Sequence, residues 1–260
     1  MDIIISVILS IILITVTLKK KAFTVAAALT AGAILIFAAF CASFAGIFIV
    51  IAAYGAVFAV DLAIGKRSER VTGEINKKSG ARDVVQVLSN SLAAVIALLL
   101  GKIFSNDVFT VVYAVALTEC LADSLASDVG VLSKKDPVDI CRLRRIKRGL
   151  SGGVSLLGTL AAFAGCVFMS AFTVIFFGFR LEYFLSVLLV PMLGIAIDSI
   201  LGSLVQAKFT CRVCSKLTEK PIHCQTPTAL TGGIRFINND TVNFLSNLIT
   251  AVIAAGILIL

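Results

Sequence analysis

The stretch DVFTVVYAVALTECLADSLASDVG, residues 107–130, decides the fold of this protein. Its first half is an apolar run, whereas its second half carries three carboxylates, Glu119, Asp123 and Asp128. About 20 residues of mainly apolar character suffice to cross the hydrocarbon core of a bilayer, so the stretch predicts a membrane-spanning helix. Ionised groups that face lipid are costly, and these acids must therefore face other helices or a wet cavity.

The rest of the chain has the same apolar character, which is typical of a polytopic membrane protein and not of a soluble domain. Of its 260 residues 59% are hydrophobic, and the mean hydropathy is +1.04. We predict an all-α transmembrane bundle of about eight spans that forms one integral membrane domain over residues 1–260. The predicted spans are residues 2–17, 22–40, 43–64, 84–103, 107–130, 153–178, 182–207 and 241–260.

Two parts of this span assignment have an alternative: the division between the second and third spans, and the nature of the first span. Nothing polar separates the second span from the third, so their division near Cys41 is a hypothesis, and seven or nine spans stay open as alternatives. Residues 1–17 lack a basic segment and a small-residue cleavage site, which favours a retained first span over a removed signal peptide.

Lysine and arginine predict the orientation of the spans. They cluster at residues 19–21, 66–82, 134–148 and 208–235, and only Lys102 and Arg180 lie elsewhere. With eight spans, these four segments fall on one side, which the positive-inside rule makes cytoplasmic, with both termini outside. The same bias explains the net charge of +8, so no nucleic-acid partner is predicted.

Hairpins flanking the basic loops resemble one another. VQVLSNSLAAVIA (85–97) and VNFLSNLITAVIA (242–254) agree at most positions without a gap. The preceding helices each place an aspartate, Asp61, Asp123 or Asp198, near a predicted cytoplasmic end. These matches indicate a threefold repeat of helical hairpins, as occurs in other membrane folds, although the return helix of the middle hairpin matches only loosely.

Polar side chains form stripes at the cytoplasmic ends of the spans. Glu119, Asp123 and Ser127 are spaced four residues apart and share one helix face. Similar stripes occur in three other spans: Gln86, Ser89 and Asn90; Asp198, Gly202 and Gln206; Asn239, Asn243, Ser246 and Asn247. The stripes should face one another, and oxygen ligands of this kind suit Mg²⁺. We predict Glu119, Asp123 and Asp198 as its ligands; Ser89, Ser246 and Asn247 could instead only join helices.

Two glycine-rich segments precede predicted helices and could bind phosphate. RGLSGGVS (148–155) places Gly152 and Gly153 at a helix start, where free backbone N–H groups favour an anion; a plain turn is the alternative. LTGGIRFINNDTVN (230–243) repeats the pattern with residues suited to helix N-caps. The cations best placed to neutralise phosphate are Lys134 and Lys135, although basic residues are expected on this side in any case.

The chain resembles an integral membrane family that contains the plant and cyanobacterial phytyl-phosphate kinases and the animal transmembrane protein 19 group. The resemblance rests on QVLSN, TECLADSLASDVG, SKKDP, GGVSLLGTLAA, DSILGSLVQ and NNDTVNFLS, in this order. It implies transfer of the γ-phosphoryl group of a nucleoside triphosphate, with CTP favoured, to a prenyl monophosphate lipid. Catalytic roles are expected for Asp123, Glu119 and Asp198, and the predicted substrate and nucleotide contacts are Gln86, Ser89, Asn90, Ser127, Asp128, Lys134, Lys135, Gly152, Gly153, Gln206, Asn238, Asn239, Asp240 and Asn243.

A looser similarity concerns the nucleotide. ADSLASDVG followed by SKK is similar to the aspartate-rich signature of CTP-dependent dolichol and phytol kinases and of CDP-diacylglycerol synthases. Those signatures usually have a glycine where this chain has Ala122, which weakens the assignment of CTP more than that of the reaction class.

Two other functions remain alternatives. A lipid nucleotidyltransferase would use the same Mg²⁺ and CTP but form a CDP-lipid and pyrophosphate. An ion- or proton-coupled transporter would also use intramembrane carboxylates, but it would need acids at mid-depth and on the outer side, where the spans are almost purely apolar.

Seven cysteines, an odd number spread over spans and loops, argue against a disulfide framework. Four potential metal ligands, Cys211, Cys214, His223 and Cys224, lie in the predicted cytoplasmic loop 208–235, which we name the cysteine loop. Three thiolates and an imidazole suit structural zinc, and free thiols are the alternative. His223 is the only histidine and lies outside the polar stripes, which leaves no Ser-His-Asp triad, and a single histidine cannot form an HExxH zinc helix.

Overall fold

A computed structural model describes residues 1–73, 75 and 80–259. It is a helical bundle, as the hydropathy predicts. The helices are α1 Asp2–Lys19, α2 Val25–Thr72, α3 Val84–Ser89, α4 Leu92–Phe104, α5 Val108–Gly130, α6 Leu156–Phe177, α7 Leu181–Leu204 and α8 Asn239–Ile259. Six of these described helices are long and apolar enough to cross a membrane. The break in α2 and the α3–α4 pair together bring the number of crossings to about eight.

The long helix α2 contains the predicted division between the second and third spans. Ala42 and Ser43 leave helical geometry, and Ser43 has a φ of 48°, so the break lies directly after Cys41. The second half of α2 continues to Thr72, whereas the sequence predicts a loop from residue 66. Lysine, arginine and glutamate are good helix formers, which explains how the helix extends beyond its apolar part.

The fourth predicted span, 84–103, is interrupted after its first turns. Asp83 and Gln86 form a reciprocal capping box that starts α3, and the chain leaves the helix at Asn90 before α4 begins. The second Leu-Ser-Asn segment, residues 245–247, lies inside the uninterrupted helix α8. The two sequence copies therefore have different backbone conformations at their most similar positions.

Helix α5 lies at the centre of the bundle and contacts α2, α4, α6, α7 and α8. Small residues allow its neighbours to approach closely: a Cβ atom on Gly158 of α6 would lie 2.5 Å from the carbonyl oxygen of Ala126. Close approach at small residues is a common way for helices to pack in membranes, where lipid provides no hydrophobic drive for association. This packing holds the acidic end of α5 among the ends of its neighbours.

The loops contain short strands that the all-α prediction does not include. They are β1 Val138–Asp139, β2 Gly153–Val154, β3 Lys208–Thr210, β4 Leu217–Thr218, β5 Ile222–His223, β6 Thr226–Pro227 and β7 Ala229–Gly232. β1 pairs with β2, β3 pairs with β4 and β7, and β5 pairs with β6, all antiparallel. The predicted helix 153–178 consequently begins only at Leu156, after its N-cap Ser155, and the predicted helix 182–207 ends at Leu204.

Asp139 joins the β1–β2 hairpin to the end of α7. Its buried carboxylate accepts hydrogen bonds from the Ser203 hydroxyl at 2.7 Å and from the backbone N–H groups of Cys141 and Arg142. Burial alone would raise the pKa of this carboxyl, but these hydrogen bonds and the Arg142 guanidinium hold it below its ordinary value.

Asp139 should therefore contribute stability that is lost in acid. A depressed pKa stabilises the folded protein above the ordinary aspartate pKa of about 3.9, and this stability disappears as the pH falls through the lower folded value. We expect the melting temperature of wild type to fall over this acid range more steeply than that of Asp139→Asn. Melting curves in detergent at a series of pH values check this, and parallel profiles for the two proteins would contradict it.

Candidate functional site

A cavity of about 370 Å³ opens where the acidic end of α5 meets the ends of α6, α7 and α8. We call it the main cavity. Ser127, Asp128, Gly152, Gly153 and Asn239 are among the predicted substrate contacts that line it. The other predicted site residues in its wall are Gln86, Asp123, Asp198, Asn238 and Asp240. The structure thus brings together polar residues from five separate segments of the chain.

Two aspartates on different helices form the acidic part of the wall. Asp123 on α5 and Asp198 on α7 both line the main cavity and are close enough for their charges to interact. The Ser246 hydroxyl on α8 lies 3.2 Å from Asp198 Oδ2 and 3.0 Å from Glu119 Oε1. Helices α5, α7 and α8 are therefore joined through one side chain at the level of the acids.

Glu119 lies behind this wall and is not among the described residues that line the main cavity. It is 2% exposed, and its Oε2 atom accepts a hydrogen bond from the Asn247 amide, which also donates to the carbonyl oxygen of Ala116. A Cβ atom on Gly194 of α7 would lie 2.6 Å from Glu119 Cγ, so α7 passes very close to this carboxylate. Glu119 is thus placed to position the Asp198 carboxylate indirectly, through the Ser246 hydroxyl.

Replacing Ser246 by alanine should destabilise the bundle. The change removes the hydroxyl placed between two carboxylates, and leaving buried polar groups without a partner costs about 1–3 kcal/mol. The matched control is Ser170→Ala, because Ser170 is equally buried but, among the described residues, its hydroxyl bonds only to the carbonyl of Cys166 in its own helix. Unfolding in detergent followed by far-UV circular dichroism compares the two; equal losses would show that the contact between helices contributes nothing.

The glycine pair predicted to bind phosphate forms a tight loop against α7. Gly152 has a φ of +87°, and a Cβ atom there would lie 2.6 Å from Ser203 Cα. Only glycine fits this position, since the conformation is rarely adopted by other residues and the neighbour is backbone. The loop leads through Ser155, whose hydroxyl accepts a hydrogen bond from Gly158 N, into the N-terminus of α6. A helix N-terminus beside the acids can attract phosphate.

Glu219 is a cavity residue that the sequence analysis missed. It is 7% exposed, and one carboxylate oxygen accepts hydrogen bonds from Ser151 N at 3.1 Å and Ser151 Oγ at 2.6 Å. Burial raises the pKa of its carboxyl, and the bonds from Ser151 oppose that rise. No sequence pattern distinguishes Glu219 from the other charged residues of the cysteine loop, so only the fold could reveal it.

A second cavity of about 270 Å³ adjoins the first. The two share Glu219, Asn238 and Asn239 in their walls. The predicted residue Gln206 lines only this second cavity, together with the cations Arg212 and Arg235.

Five predicted substrate contacts lie away from both cavities, as far as the described residues show. They are Ser89, Asn90, Lys134, Lys135 and Asn243. Asn90 and Asn243 bond to each other at 3.2 Å, and both lysines are exposed on the connection after α5.

Two arginines, and neither of these lysines, are associated with the acids of the main cavity among the described residues. Arg148 lines the main cavity, and Arg82 interacts electrostatically with Asp123 and Asp128. The fold brings these two arginines to the acids, although neither directly follows the acidic helix in sequence as the lysines do. Arg82 is held there by the backbone, because its N–H and C=O groups bond to Ala22 and Thr24.

The cysteine loop brings its four predicted metal ligands together. The ligand atoms of Cys211, Cys214, His223 and Cys224 all lie within 4.8 Å of one another. Cys211 is buried, whereas Cys214 and Cys224 are exposed.

Comparisons with known proteins agree with the resemblance found in the sequence. The family model described as integral membrane protein DUF92 matches residues 8–251. Protein PGR of Arabidopsis thaliana is 29% identical over 214 residues, which cover 72% of this chain and 73% of the plant protein. An uncharacterized membrane protein of Synechocystis is 28% identical over 168 residues, which cover 62% of this chain and 64% of that protein. No solved structure matches the chain.

Proposed function

The chain belongs to the integral membrane family DUF92, and from this premise we propose that it is a prenyl-phosphate kinase. It would transfer the γ-phosphoryl group of a nucleoside triphosphate, with CTP favoured, to a prenyl monophosphate of the phytyl or geranylgeranyl type. The observation that carries the proposal is the pairing of Asp123 and Asp198 with the glycine loop around one cavity. Phosphoryl transfer depends mainly on positioning and charge neutralisation, and these groups could provide both.

The reaction needs a binding site for each of two phosphate-bearing substrates, and the two adjoining cavities could provide one site each. An oxygen of the lipid monophosphate bonds to the γ-phosphorus, the bond from that phosphorus to its bridging oxygen breaks, and the nucleoside diphosphate leaves. The shared wall formed by Glu219, Asn238 and Asn239 is where the two phosphate ends would meet. Arg148 could offset negative charge in the main cavity.

Magnesium is the cofactor that fits the acids. Mg²⁺ prefers oxygen ligands and is usually held by one or two carboxylates together with substrate phosphates. Asp123 and Asp198 reach the cavity and would hold the ion, whereas Glu119 would orient Asp198 through Ser246. When bound, the ion would neutralise charge on the phosphates.

The main cavity also has an apolar side that suits a lipid. Ala162 on α6 and Met192, Ile195 and Ala196 on α7 line it. A prenyl chain could lie along this side, between the two helices, with its phosphate at the acids. The basic segments adjoin the same ends of the helices, so the positive-inside rule would place this site at the cytoplasmic face.

The direct test is an assay of purified protein in detergent with Mg²⁺, CTP labelled at the γ-phosphate, and geranylgeranyl phosphate. Label in a lipid diphosphate, separated by thin-layer chromatography and strongly reduced with Asp123→Asn, would support the kinase. Release of the label as pyrophosphate together with a CDP-lipid would instead identify a nucleotidyltransferase. If neither substrate is consumed with any nucleotide or prenyl phosphate, the proposal fails.

A further inference from the structure

The tips of two hairpins in the cysteine loop converge on one point. The β3–β4 connection, residues 211–216, carries Cys211 and Cys214, and the β5–β6 hairpin carries His223 and Cys224. Their four ligand atoms lie within 4.8 Å of one another. We propose that Cys211, Cys214, His223 and Cys224 bind one zinc ion, which fixes the cysteine loop against the main cavity.

Two distances within the cluster are close to those of a tetrahedral zinc site. With Zn–S near 2.3 Å and Zn–N near 2.0–2.1 Å, tetrahedral geometry requires roughly 3.6 Å between a sulfur and a nitrogen ligand. His223 Nδ1 lies 3.5 Å from Cys214 Sγ and 3.2 Å from Cys224 Sγ. Both distances are close to the separation expected between two ligands of one zinc ion, so Nδ1 would be the coordinating atom. Three thiolates with one imidazole form a common closed structural zinc set.

The backbone around the cluster supports the same conclusion. Val213 N–H points at Cys211 Sγ, 3.4 Å away, as a donor that would stabilise a metal-bound thiolate. Cys224 and Gln225, the two turn residues of the β5–β6 hairpin, have φ values of 50° and 60°. Such two-residue turns strongly favour asparagine and glycine, so a Cys-Gln pair is unusual here. The turn allows adjacent residues, His223 and Cys224, to reach one metal.

An ion bound at the cluster would also affect the main cavity, because the segment between the two hairpins forms part of its wall. At the end of β4, Thr218 Oγ1 donates to the carbonyl oxygen of Ile75 at 3.0 Å. In the segment between the two hairpins, Glu219 N donates to the same oxygen at 2.8 Å, and Lys220 Nζ donates to the carbonyl oxygen of Gly73. Glu219 then reaches the cavity wall. An ion joining the hairpins on either side would hold this short segment in place, although zinc binding itself does not depend on the proposed kinase activity.

Metal content of the full chain, purified in detergent without chelator, tests the proposal. We expect about one zinc per chain by plasma mass spectrometry in wild type and in Asp123→Asn. Cys214→Ser and Cys224→Ser should each retain less than a tenth of that amount. Cys141→Ser is the matched control, because Cys141 is also exposed but lies outside the cluster, and it should keep its zinc in full.

A second measurement does not require the variants to fold. Removing metal from wild type with a chelator should speed tryptic cleavage within residues 208–235, and adding zinc should restore protection. Cobalt in place of zinc should give the visible bands of a tetrahedral thiolate site. A wild-type metal content no higher than that of Cys214→Ser, a disulfide between Cys214 and Cys224 in freshly purified protein, or iron in place of zinc would overturn the proposal.

Discussion

Replacing Asp123 by asparagine is expected to reduce turnover by roughly 100-fold or more, the range found when a group that stabilises transition-state charge is removed. The substitution keeps the size of the side chain but removes the negative charge that would hold Mg²⁺ beside the phosphates. Asp198→Asn should have an effect of the same order, because Asp198 faces the same cavity from α7. Initial rates of lipid diphosphate formation at saturating Mg²⁺ measure both.

The matched control is Asp107→Asn, which makes the same chemical change at the other end of α5. Asp107 is exposed and forms no side-chain cap bond, so we expect wild-type rates and stability. The melting temperature and zinc content of Asp123→Asn should also match wild type, which separates lost chemistry from lost structure. Full turnover by Asp123→Asn would show that its carboxylate does not hold the metal.

The second large effect is expected for Gly152→Ala. The added Cβ would meet the backbone of Ser203 at 2.6 Å, and the φ of +87° is unfavourable for alanine, so the loop must move away from α7. Displacement by about 1 Å can reduce a rate 100-fold when positioning supplies much of the catalysis. We expect a loss of turnover of about this size and a lower melting temperature.

Two other glycines separate the causes of this effect. Gly178 also has a positive φ, 67°, but beyond its chain neighbours no atom of the described residues lies within 4 Å of a Cβ there. Gly178→Ala therefore measures backbone strain alone, about 1–3 kcal/mol. Gly256 in α8 has no positive φ and, as far as the described part of the chain shows, open space around a Cβ, so alanine there should be neutral or slightly stabilising. If Gly152→Ala behaves like Gly256→Ala in rate and stability, the close contact with Ser203 is unimportant.

Periodic hydrophobicity was sufficient to predict the membrane bundle and most helix positions, because spans must be long, apolar and internally hydrogen-bonded. The break after Cys41 was predictable as well, because the apolar run around it is too long for a single span. The short strands and the extension of α2 to Thr72 were not predicted, because both lie in polar segments that lack a periodic pattern of apolar residues.

The candidate site was only partly predictable for a related reason. Helical spacing placed Glu119 and Asp123 on one face of α5, but whether each acid reaches the cavity depends on how α7 and α8 pack. Glu219 reaches it through tertiary contacts of the cysteine loop, and Lys134 does not, although it follows the acidic helix in sequence. The orientation of the site relative to the membrane stays a prediction.

The contacts of α8 have a consequence for the biogenesis of this protein. Ser246 and Asn247, which hydrogen-bond to Glu119, lie in the last of the described helices to be synthesised. Until α8 inserts, the nascent chain carries its buried carboxylates in the membrane without these donors, a costly state that chaperones or proteases can recognise. Chains interrupted before Asn239 should therefore be degraded faster than chains that include α8, because only the latter can assemble the acidic cluster.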